Sequence, residues 1–503
     1  MDFSLQKGYA MTQPTLRDLL IFLPGIMGSS LRLDNADLWA VSGQSVWQFF
    51  KTAPHLGQRL QALKVCDDDY QRTDLGDGIT VGEVIMGDAL VAPLLRIGGY
   101  RPMIERIVHD FDGVVTGSVH APRDNANFFP FPYDWRRDNR ASALQLKAFI
   151  DRQLPKWRTH SGAKDAKVIL IAHSMGGLVS RYYLEALGGW RACRLLLTIA
   201  TPHRGSLDAV DTLANGIKFF PSLTRVTREL TSIYQLLPIY EAITVDGAQA
   251  RVAEISALLG IDQGRAQSAR EDFHLEIYRR AKENRAAGQS QLTIPWVGVH
   301  QDTFQSALVE NGRVMLSYQL PPIVDVAFDG GDGTVPRVSA VPADFTKQEE
   351  DELTRYSAQQ HGWITNNEMT LTPLIESLHT IVSPGSQNVL GRESDRKPAI
   401  NLCADPVFGP GQPVVLNLAV AKTEHTLTLE ARLEPTTLGA KTITSKVDVQ
   451  PGERMLLNFP DVPPGLYRVT VRSRGAKGLA PDPVQSLIEL VDAAAVEAMQ
   501  SQA

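Results

Sequence analysis

Short, wholly apolar segments alternate with helical patterns over the first part of this 503-residue chain. Leu19–Leu23 and Val168–Ala172 are continuous apolar runs, which are typical of strands buried on both faces of a sheet. An amphipathic pattern at Tyr100–His109 and another from Leu178 onward predict helices that accompany these strands. Further strands are predicted at Asn127–Phe131 and Thr293–Val299. The alternation predicts an α/β fold.

The pattern changes between Ser206 and Gly288, where the sequence becomes helical and polar. Val252–Leu259 and Arg270–Arg285 have the spacing of solvated amphipathic helices. We interpret 206–290 as a helical cap on the α/β part, with packing of the cap against itself as the plainer alternative.

A third pattern follows the polar, proline-terminated segment Ser394–Pro398, which is typical of a linker. Polar and apolar residues then alternate in six segments separated by turn residues: Val414–Val420, His425–Leu433, Lys441–Val449, Arg454–Phe459, Leu466–Val471 and Val484–Leu490. About ninety residues with this spacing predict a small antiparallel β-sandwich. We therefore divide the chain into a flexible N-terminus (1–14), an α/β domain (15–395), a β-sandwich (402–492) and a tail (493–503).

The segment after the strand at Val168–Ala172 carries the clearest chemical signal. It reads His173-Ser174-Met175-Gly176-Gly177, close to the G-x-S-x-G pattern, with Ala172 in the place of the first glycine. Small residues on both sides of a serine permit the strained strand-to-helix turn that exposes its hydroxyl. This nucleophile elbow predicts that Ser174 is a nucleophile, against the alternative of a serine in an ordinary strand–helix turn.

A serine nucleophile needs a base and an orienting acid, which follow it in the order acid, then histidine, in this type of fold. Asp332 lies in a glycine-rich turn after Ile323–Phe328, which we predict to be a strand, and Asp329 is the alternative acid. His361 precedes the last predicted helix and is the expected base, with His379 as the alternative.

The oxyanion formed during acyl transfer is usually stabilised by two backbone N–H groups. One follows the nucleophile and belongs to Met175. The second is expected in the loop after the first strand, Pro24–Ser30, from Ile26 or alternatively Met27. A glycine-rich loop without a catalytic part is the competing interpretation.

Six motifs in this order resemble the lecithin:cholesterol acyltransferase family, which includes phospholipases, phospholipid:diacylglycerol acyltransferases and bacterial hydrolases. They span roughly residues 17 to 380 and read PGIMGSSL, PYDWRRD, AHSMGGLVSRYYL, ATPHRGS, GDGTVP and HGWITNNE. The resemblance implies an α/β-hydrolase fold, a triad of Ser174, Asp332 and His361, and an oxyanion hole formed by Ile26 and Met175.

Two residues depart from the family pattern. Ala172 replaces a glycine, and His203 stands where relatives often have tryptophan, so His203 is a candidate substrate contact. PYDWRRD is interpreted as an architectural ion-pair and stacking element beside the site.

An insertion at 31–99 contains an aromatic cluster that is similar to the membrane-contacting segment of lipolytic relatives. Trp47, Phe49 and Phe50 are its candidate substrate or membrane contacts, since aromatic side chains suit an interface. Packing of the same residues inside the insertion is the alternative.

Composition narrows the class of protein. A net charge of −6 with no basic block argues against nucleic acid as a partner. The three cysteines, Cys66, Cys193 and Cys403, are widely spaced and form no metal motif, and this usage fits a reducing cytoplasm. No apolar run reaches the ~18 residues of a transmembrane helix, and the N-terminus lacks the pattern of a signal peptide. No cofactor or metal is expected.

These observations favour a serine-dependent lipid-ester hydrolase, a phospholipase or lipase with acyl transfer as a further activity. Its expected partners are a lipid or other acyl-ester substrate, a membrane surface contacted peripherally, and a protein partner bound through the C-terminal β domain. The alternatives are a soluble esterase, amidase or lactonase with a small substrate, and a non-catalytic interaction protein.

Overall fold

The structure is a computed structural model that describes residues 14–40, 56–65, 67–91, 95–217, 221–382, 397–437, 440–474 and 480–493. Its strands up to residue 382 are β1 (Leu19–Leu23), β2 (Ser29–Leu33), β3 (Ala36–Trp39), β4 (Ile79–Val84), β5 (Ala89–Val91), β6 (Leu95–Ile97), β7 (Phe128–Pro130), β8 (Val168–His173), β9 (Cys193–Ile199), β10 (Ile243–Val245), β11 (Ala248–Ala250), β12 (Leu292–Gly298), β13 (Ser306–Glu310), β14 (Arg313–Ser317) and β15 (Arg355–Ser357).

The helices of the same part are α1 (Leu56–Ala62), α2 (Arg101–Asp110), α3 (Asn139–Ser161), α4 (Met175–Glu185), α5 (Leu207–Ala214), α6 (Pro221–Thr227), α7 (Thr231–Tyr234), α8 (Val252–Ile255), α9 (Gln263–Ser268), α10 (Glu276–Ala286), α11 (Arg337–Ala340), α12 (Lys347–Leu353) and α13 (Glu368–Val382). A π-helical turn at Ala269–Leu275 joins α9 to α10. None of the described helices is both long enough and apolar enough to cross a membrane.

A six-stranded sheet forms the centre of this part, in the order β15-β12-β9-β8-β1-β7. Every neighbouring pair in it is parallel. All residues of β1 and β8 are buried, because helices cover the sheet on both faces and leave no room for alternating polar positions. The predicted α/β fold is confirmed, and the carboxyl ends of β1 and β8 lie side by side.

Smaller sheets surround the central one. The segment between β1 and α2 contains a three-stranded sheet, β3-β2-β4, and the hairpin β5-β6. The cap consists of α5 to α10 and includes the short strands β10 and β11, which join β13 and β14 in a four-stranded sheet.

One predicted strand is wrong. Val326–Phe328 is a 3-10 helical turn, and the side chains of Ile323 and Val326 are exposed. The apolar run therefore belongs to a surface loop between β14 and the Asp332 turn, while β12 is the strand of the central sheet that precedes Asp332. The β13–β14 hairpin separates β12 from Asp332, which local patterning could not reveal.

The C-terminal part is an all-β unit with eight strands in the residues described there: β16 (Ala399–Cys403), β17 (Val407–Phe408), β18 (Val414–Ala421), β19 (Leu427–Pro435), β20 (Ile443–Val449), β21 (Arg454–Phe459), β22 (Gly465–Arg474) and β23 (Val484–Leu490). They form two sheets, β16-β18-β21 and β17-β23-β22-β19-β20, around one apolar core. The predicted β-rich C-terminal region is confirmed. All six predicted segments are strands, and the two unpredicted strands, β16 and β17, are short and close to the linker.

Candidate active site

The turn between β8 and α4 has the geometry of a nucleophile elbow. Ser174 has φ 51° and ψ −127°, a conformation that non-glycine residues rarely adopt. The helix begins at Met175, three residues earlier than the sequence pattern indicates. A Cβ atom on Gly176 would lie 2.5 Å from the Pro24 carbonyl oxygen, and one on Gly177 would lie 2.0 Å from Thr201 Oγ1. The two glycines therefore let the helix pack directly against the neighbouring loops.

Three residues that are far apart in the sequence meet at this elbow. His361 Nε2 lies 3.0 Å from Ser174 Oγ, and His361 Nδ1 lies 2.8 Å from Asp332 Oδ2. All three side chains are buried. A carboxylate oxygen only accepts hydrogen bonds, so neutral His361 donates its Nδ1–H to Asp332 and presents the Nε2 lone pair to the serine hydroxyl.

Asp332 is held in place by its own turn. Its second carboxylate oxygen, Oδ1, accepts the N–H groups of Thr334 at 2.9 Å and Val335 at 2.7 Å. Its backbone carbonyl accepts the N–H of His361 at 2.8 Å. Gly298 at the end of β12 leaves the space that the Asp332 side chain occupies, since a Cβ there would lie 2.2 Å from Asp332 Cβ. The acid is therefore fixed to the sheet and to the histidine loop.

Asp329 and His379, the alternative acid and base, do not contact Ser174 in the described part of the chain. Asp329 is exposed, and its Oδ1 accepts a hydrogen bond from Gln305 Nε2 at 2.7 Å. His379 is in α13 and packs edge-on against Phe111, with ring centroids 4.5 Å apart. The structure brings Asp332 and His361 to Ser174, and places Asp329 and His379 elsewhere.

The loop after β1 lies against the nucleophile. A Cβ on Gly25 would be 2.9 Å from Ser174 Cβ, so glycine permits this close approach. Ile26 follows directly, and Met27 adopts φ 58° with its carbonyl accepting Trp39 Nε1–H at 3.2 Å. Met175 is the first residue of α4, so its N–H has no acceptor within the helix. Ile26 follows Gly25 and Met175 follows Ser174 in the chain, and the oxyanion role of these two residues stays a prediction.

A buried hydrogen-bond chain connects that loop to the histidine loop. His173 Nε2–H donates to the His361 carbonyl at 3.1 Å, and His173 Nδ1 accepts the Tyr100 hydroxyl at 2.9 Å. The Tyr100 oxygen in turn accepts the Gly25 N–H at 2.9 Å. Burial, together with the His361 ring, holds the pKa of His173 well below its ordinary value, so the ring is neutral with one donor and one acceptor. Sequence reasoning missed Tyr100, which lies 73 residues before His173.

The PYDWRRD segment braces the same loop. The Tyr133 hydroxyl donates to the Pro24 carbonyl at 2.8 Å, and Trp135 Nε1–H donates to the Ser29 carbonyl at 3.0 Å. Arg136 is fully buried and pairs with Asp134, its Nε lying 2.9 Å from Asp134 Oδ1. These contacts agree with the predicted architectural role.

The remaining predicted site residues divide into two groups. His203 is buried beside Arg181 and Arg204, its Nε2 lies 3.3 Å from Thr198 Oγ1, and its substrate role stays a prediction. Trp47, Phe49 and Phe50 lie outside the described residues. No group of three or more His, Cys, Asp or Glu within the described ranges is arranged to hold a metal ion.

Residues 119–261 match the family described as Lecithin:cholesterol acyltransferase. The matched segment contains Ser174 and ends before Asp332 and His361. The resemblance inferred from the motifs is confirmed by this match. No curated protein matches the chain at a significant level.

Three solved structures show low similarity. A Bacillus licheniformis lipase in its propeptide form is 11% identical, with 95% of this chain and 94% of that chain covered and a TM-score of 0.30. The mature form of that lipase is 12% identical, with 73% of this chain and 94% of that chain covered and a TM-score of 0.28. The CARDB domain of a Pyrococcus furiosus protein is 13% identical, with 20% of this chain and 99% of that chain covered and a TM-score of 0.15.

Proposed function

We propose that this chain is a serine-dependent lipid-ester hydrolase, on the premise that its residues 119–261 match the lecithin:cholesterol acyltransferase family. That match supports an activity on lipid esters in general, as a hydrolase or an acyltransferase. The observation that supports a serine mechanism is the unbroken hydrogen-bond chain from Ser174 through His361 to Asp332.

Acylation would begin with attack of Ser174 Oγ on the ester carbonyl carbon while His361 Nε2 removes the hydroxyl proton. Asp332 keeps the proton of His361 on Nδ1 and stabilises the imidazolium that forms. The carbonyl oxygen becomes an oxyanion, for which the N–H groups of Ile26 and Met175 are the proposed donors. His361 then gives its proton to the leaving alcohol, and the acyl group remains on Ser174.

Deacylation would repeat these steps with a different nucleophile. Water or an acceptor hydroxyl attacks the acyl-serine carbonyl, His361 removes its proton, and Ser174 leaves with the proton returned. Water yields a free fatty acid and an acceptor alcohol yields a new ester. The same residues therefore support a phospholipase, a lipase and an acyltransferase.

Labelling with a fluorophosphonate tests the nucleophile directly. We expect Ser174→Ala to abolish labelling and to lower kcat on a short p-nitrophenyl ester by about 10⁶-fold, the loss typical of removing a triad serine. Ser180→Ala is the matched control, because Ser180 is a buried serine of α4, the helix that follows Ser174, and its hydroxyl donates to the Gly176 carbonyl at 2.9 Å. If folded Ser174→Ala keeps its labelling and its activity, the proposed mechanism is wrong.

The substrate class is tested by comparing two substrates. A lipid-ester hydrolase should hydrolyse phospholipid vesicles or emulsified glycerides faster than a short monomeric ester at equal ester concentration. Adding a long-chain alcohol and measuring the new ester by mass spectrometry separates acyl transfer from hydrolysis. Activity confined to monomeric short esters would favour the small-substrate alternative.

A further inference from the structure

We propose that the C-terminal β-sandwich is a positioning part of the active site, because it holds the loop that carries His361. This inference rests on the proposed function, since it concerns the placement of the proposed base. The loop that it concerns, Ala358–Asn367, follows β15 and leads into α13.

Polar contacts tie both the loop and its neighbours to β16. The Gln360 side-chain amide, one residue before His361, donates to the Leu402 carbonyl. Buried Gln301 bridges the two segments, because its Nε2 donates to the Ala358 carbonyl at 2.9 Å and to the Ile400 carbonyl at 2.8 Å. Its Oε1 accepts the Leu402 N–H at 3.1 Å. One glutamine therefore satisfies backbone groups of the histidine loop and of the sandwich together.

An apolar contact lies on the other side of His361. Trp363 is buried against Leu466 of β22 and Leu487 of β23, in a cluster separate from the core of the sandwich. Neighbouring residues of these strands, such as Val469 and Ile488, face that core instead. The alternation of side chains along a strand thus gives this sheet two buried faces, one toward its partner sheet and one toward the histidine loop.

Polar contacts surround the cluster of Trp363, Leu466 and Leu487, which we call the docking surface. Asp302 forms an ion pair with Arg454 of β21 and accepts a hydrogen bond from Asn401 of β16 at 2.7 Å. Gln359 Nε2 donates to the Pro483 carbonyl at 3.1 Å. The docked face therefore combines a buried apolar centre with polar contacts at its edge, which is the organisation of specific protein interfaces.

A cleft borders the loop on the side of the sandwich. A cavity of about 280 Å³ lies beside the Asp332–His361 pair and is bounded by both parts of the chain. Its walls include Phe304, Tyr318 and the segment 402–407. The loop faces open space on this side, so the contacts of Gln360 and Trp363 with the sandwich support it there and add to the hydrogen bonds of His361 with Asp332 and His173.

Catalysis is sensitive to such displacement. The transfer of the proton requires the 3.0 Å approach of His361 Nε2 to Ser174 Oγ. A misplacement of about 1 Å in a reacting group can lower the rate by about 100-fold. We therefore expect changes on the sandwich face that contacts Trp363 to lower kcat although these residues do not touch the reacting atoms.

The test uses full-length Leu487→Ala and a matched control in the sandwich core, Leu429→Ala. Both leucines are fully buried strand residues, but Leu487 contacts Trp363 and Leu429 belongs to the core of the sandwich. Two quantities are measured: kcat and KM on a short soluble ester, and amide hydrogen exchange of the peptide that covers residues 358–367. Leu487→Met serves as the conservative variant.

We expect Leu487→Ala to lower kcat by about 10- to 100-fold with little change in KM, and to speed exchange in the loop. Leu429→Ala should leave both unchanged even if it lowers the melting temperature as much, and Leu487→Met should restore most of kcat. Unchanged kcat in folded Leu487→Ala would overturn the proposal, whether or not exchange increases. If the wild type neither hydrolyses esters nor reacts with a fluorophosphonate, the proposed function fails, while faster exchange in Leu487→Ala would still establish docking.

Discussion

The Asp332 carboxylate divides its two oxygens between the proposed base and its own turn. Oδ2 accepts a hydrogen bond from the Nδ1–H of His361, and Oδ1 accepts hydrogen bonds from the backbone N–H groups of Thr334 and Val335. An aspartate that only caps a turn would not need both oxygens in this way. The geometry therefore makes a distinction between Asp332 and Asp329 that can be tested with one atom changed.

Asp332→Asn should keep the fold and lower kcat by about 10⁴-fold, because the amide no longer enforces the His361 tautomer that accepts the serine proton. Asp329→Asn is the control, since asparagine retains the oxygen that accepts the hydrogen bond from Gln305. Steady-state kinetics of both variants on a short ester give the ranking. A larger loss in Asp329→Asn would transfer the role of triad acid to Asp329.

At the scale of elements, the elbow depends on how closely α4 approaches the loop after β1. The backbone of Gly176 faces the carbonyl groups of Leu23 and Pro24, at 2.8 and 2.5 Å from where a Cβ would lie. These are backbone atoms next to the proposed oxyanion donor, so they cannot move without displacing that loop. Packing and catalysis are coupled at this glycine.

Gly176→Ala should therefore lower both stability and kcat, with a rate loss of about 100-fold from displacement of the oxyanion loop. Gly264→Ala is the control: this glycine lies in α9, where an added Cβ would meet only the Asp262 side chain at 3.5 Å. That substitution should leave kcat unchanged and raise stability by up to about 1 kcal/mol through the better helix propensity of alanine. Wild-type kinetics in Gly176→Ala would show that the close contact is dispensable.

For the whole molecule, three of the buried histidines, His173, His203 and His274, make stability depend on pH. Burial lowers the pKa of His274 to about 4 and holds the pKa values of His173 and His203 well below the ordinary value of 6.5. The unfolded chain therefore binds up to three more protons than the folded one below pH 6.5. Folded-state stability is retained above that pH and falls as the pH drops toward 4.

The slope from these groups has an upper limit of about 4 kcal/mol per pH unit, because each of the three histidines contributes at most about 1.4 kcal/mol per pH unit. His274→Gln should reduce the slope by about 1.4 kcal/mol per pH unit, since glutamine keeps an N–H donor for the Gln235 carbonyl but does not titrate. Urea titrations between pH 6.5 and 4.5 measure the slope, with exposed His160→Gln as control. Equal slopes in wild type and His274→Gln would contradict a neutral buried ring.

The sequence by itself determined the features that depend on a few neighbouring residues. The apolar runs of β1 and β8, the small residues around Ser174 and the alternation in the C-terminal strands are local patterns, and each was predicted within a few residues of its observed position. Burial on both faces requires continuous apolar residues, and a tight turn requires small ones. Each of these signals therefore lies within a few consecutive residues and can be recognised without knowledge of the fold.

Only the tertiary structure decided which distant groups meet. It placed Asp332 and not Asp329 against His361, showed that Ile323–Phe328 is a surface loop, and revealed the contacts of Tyr100 with His173 and of Gln360 with Leu402. Each of these features depends on packing between distant segments of the chain. The residues next to a side chain in the sequence do not indicate which distant group it will contact. For the same reason the strand spacing of the β-sandwich predicted a separate domain with a protein partner, whereas its contacts with the His361 loop are the basis for including it in the proposed site.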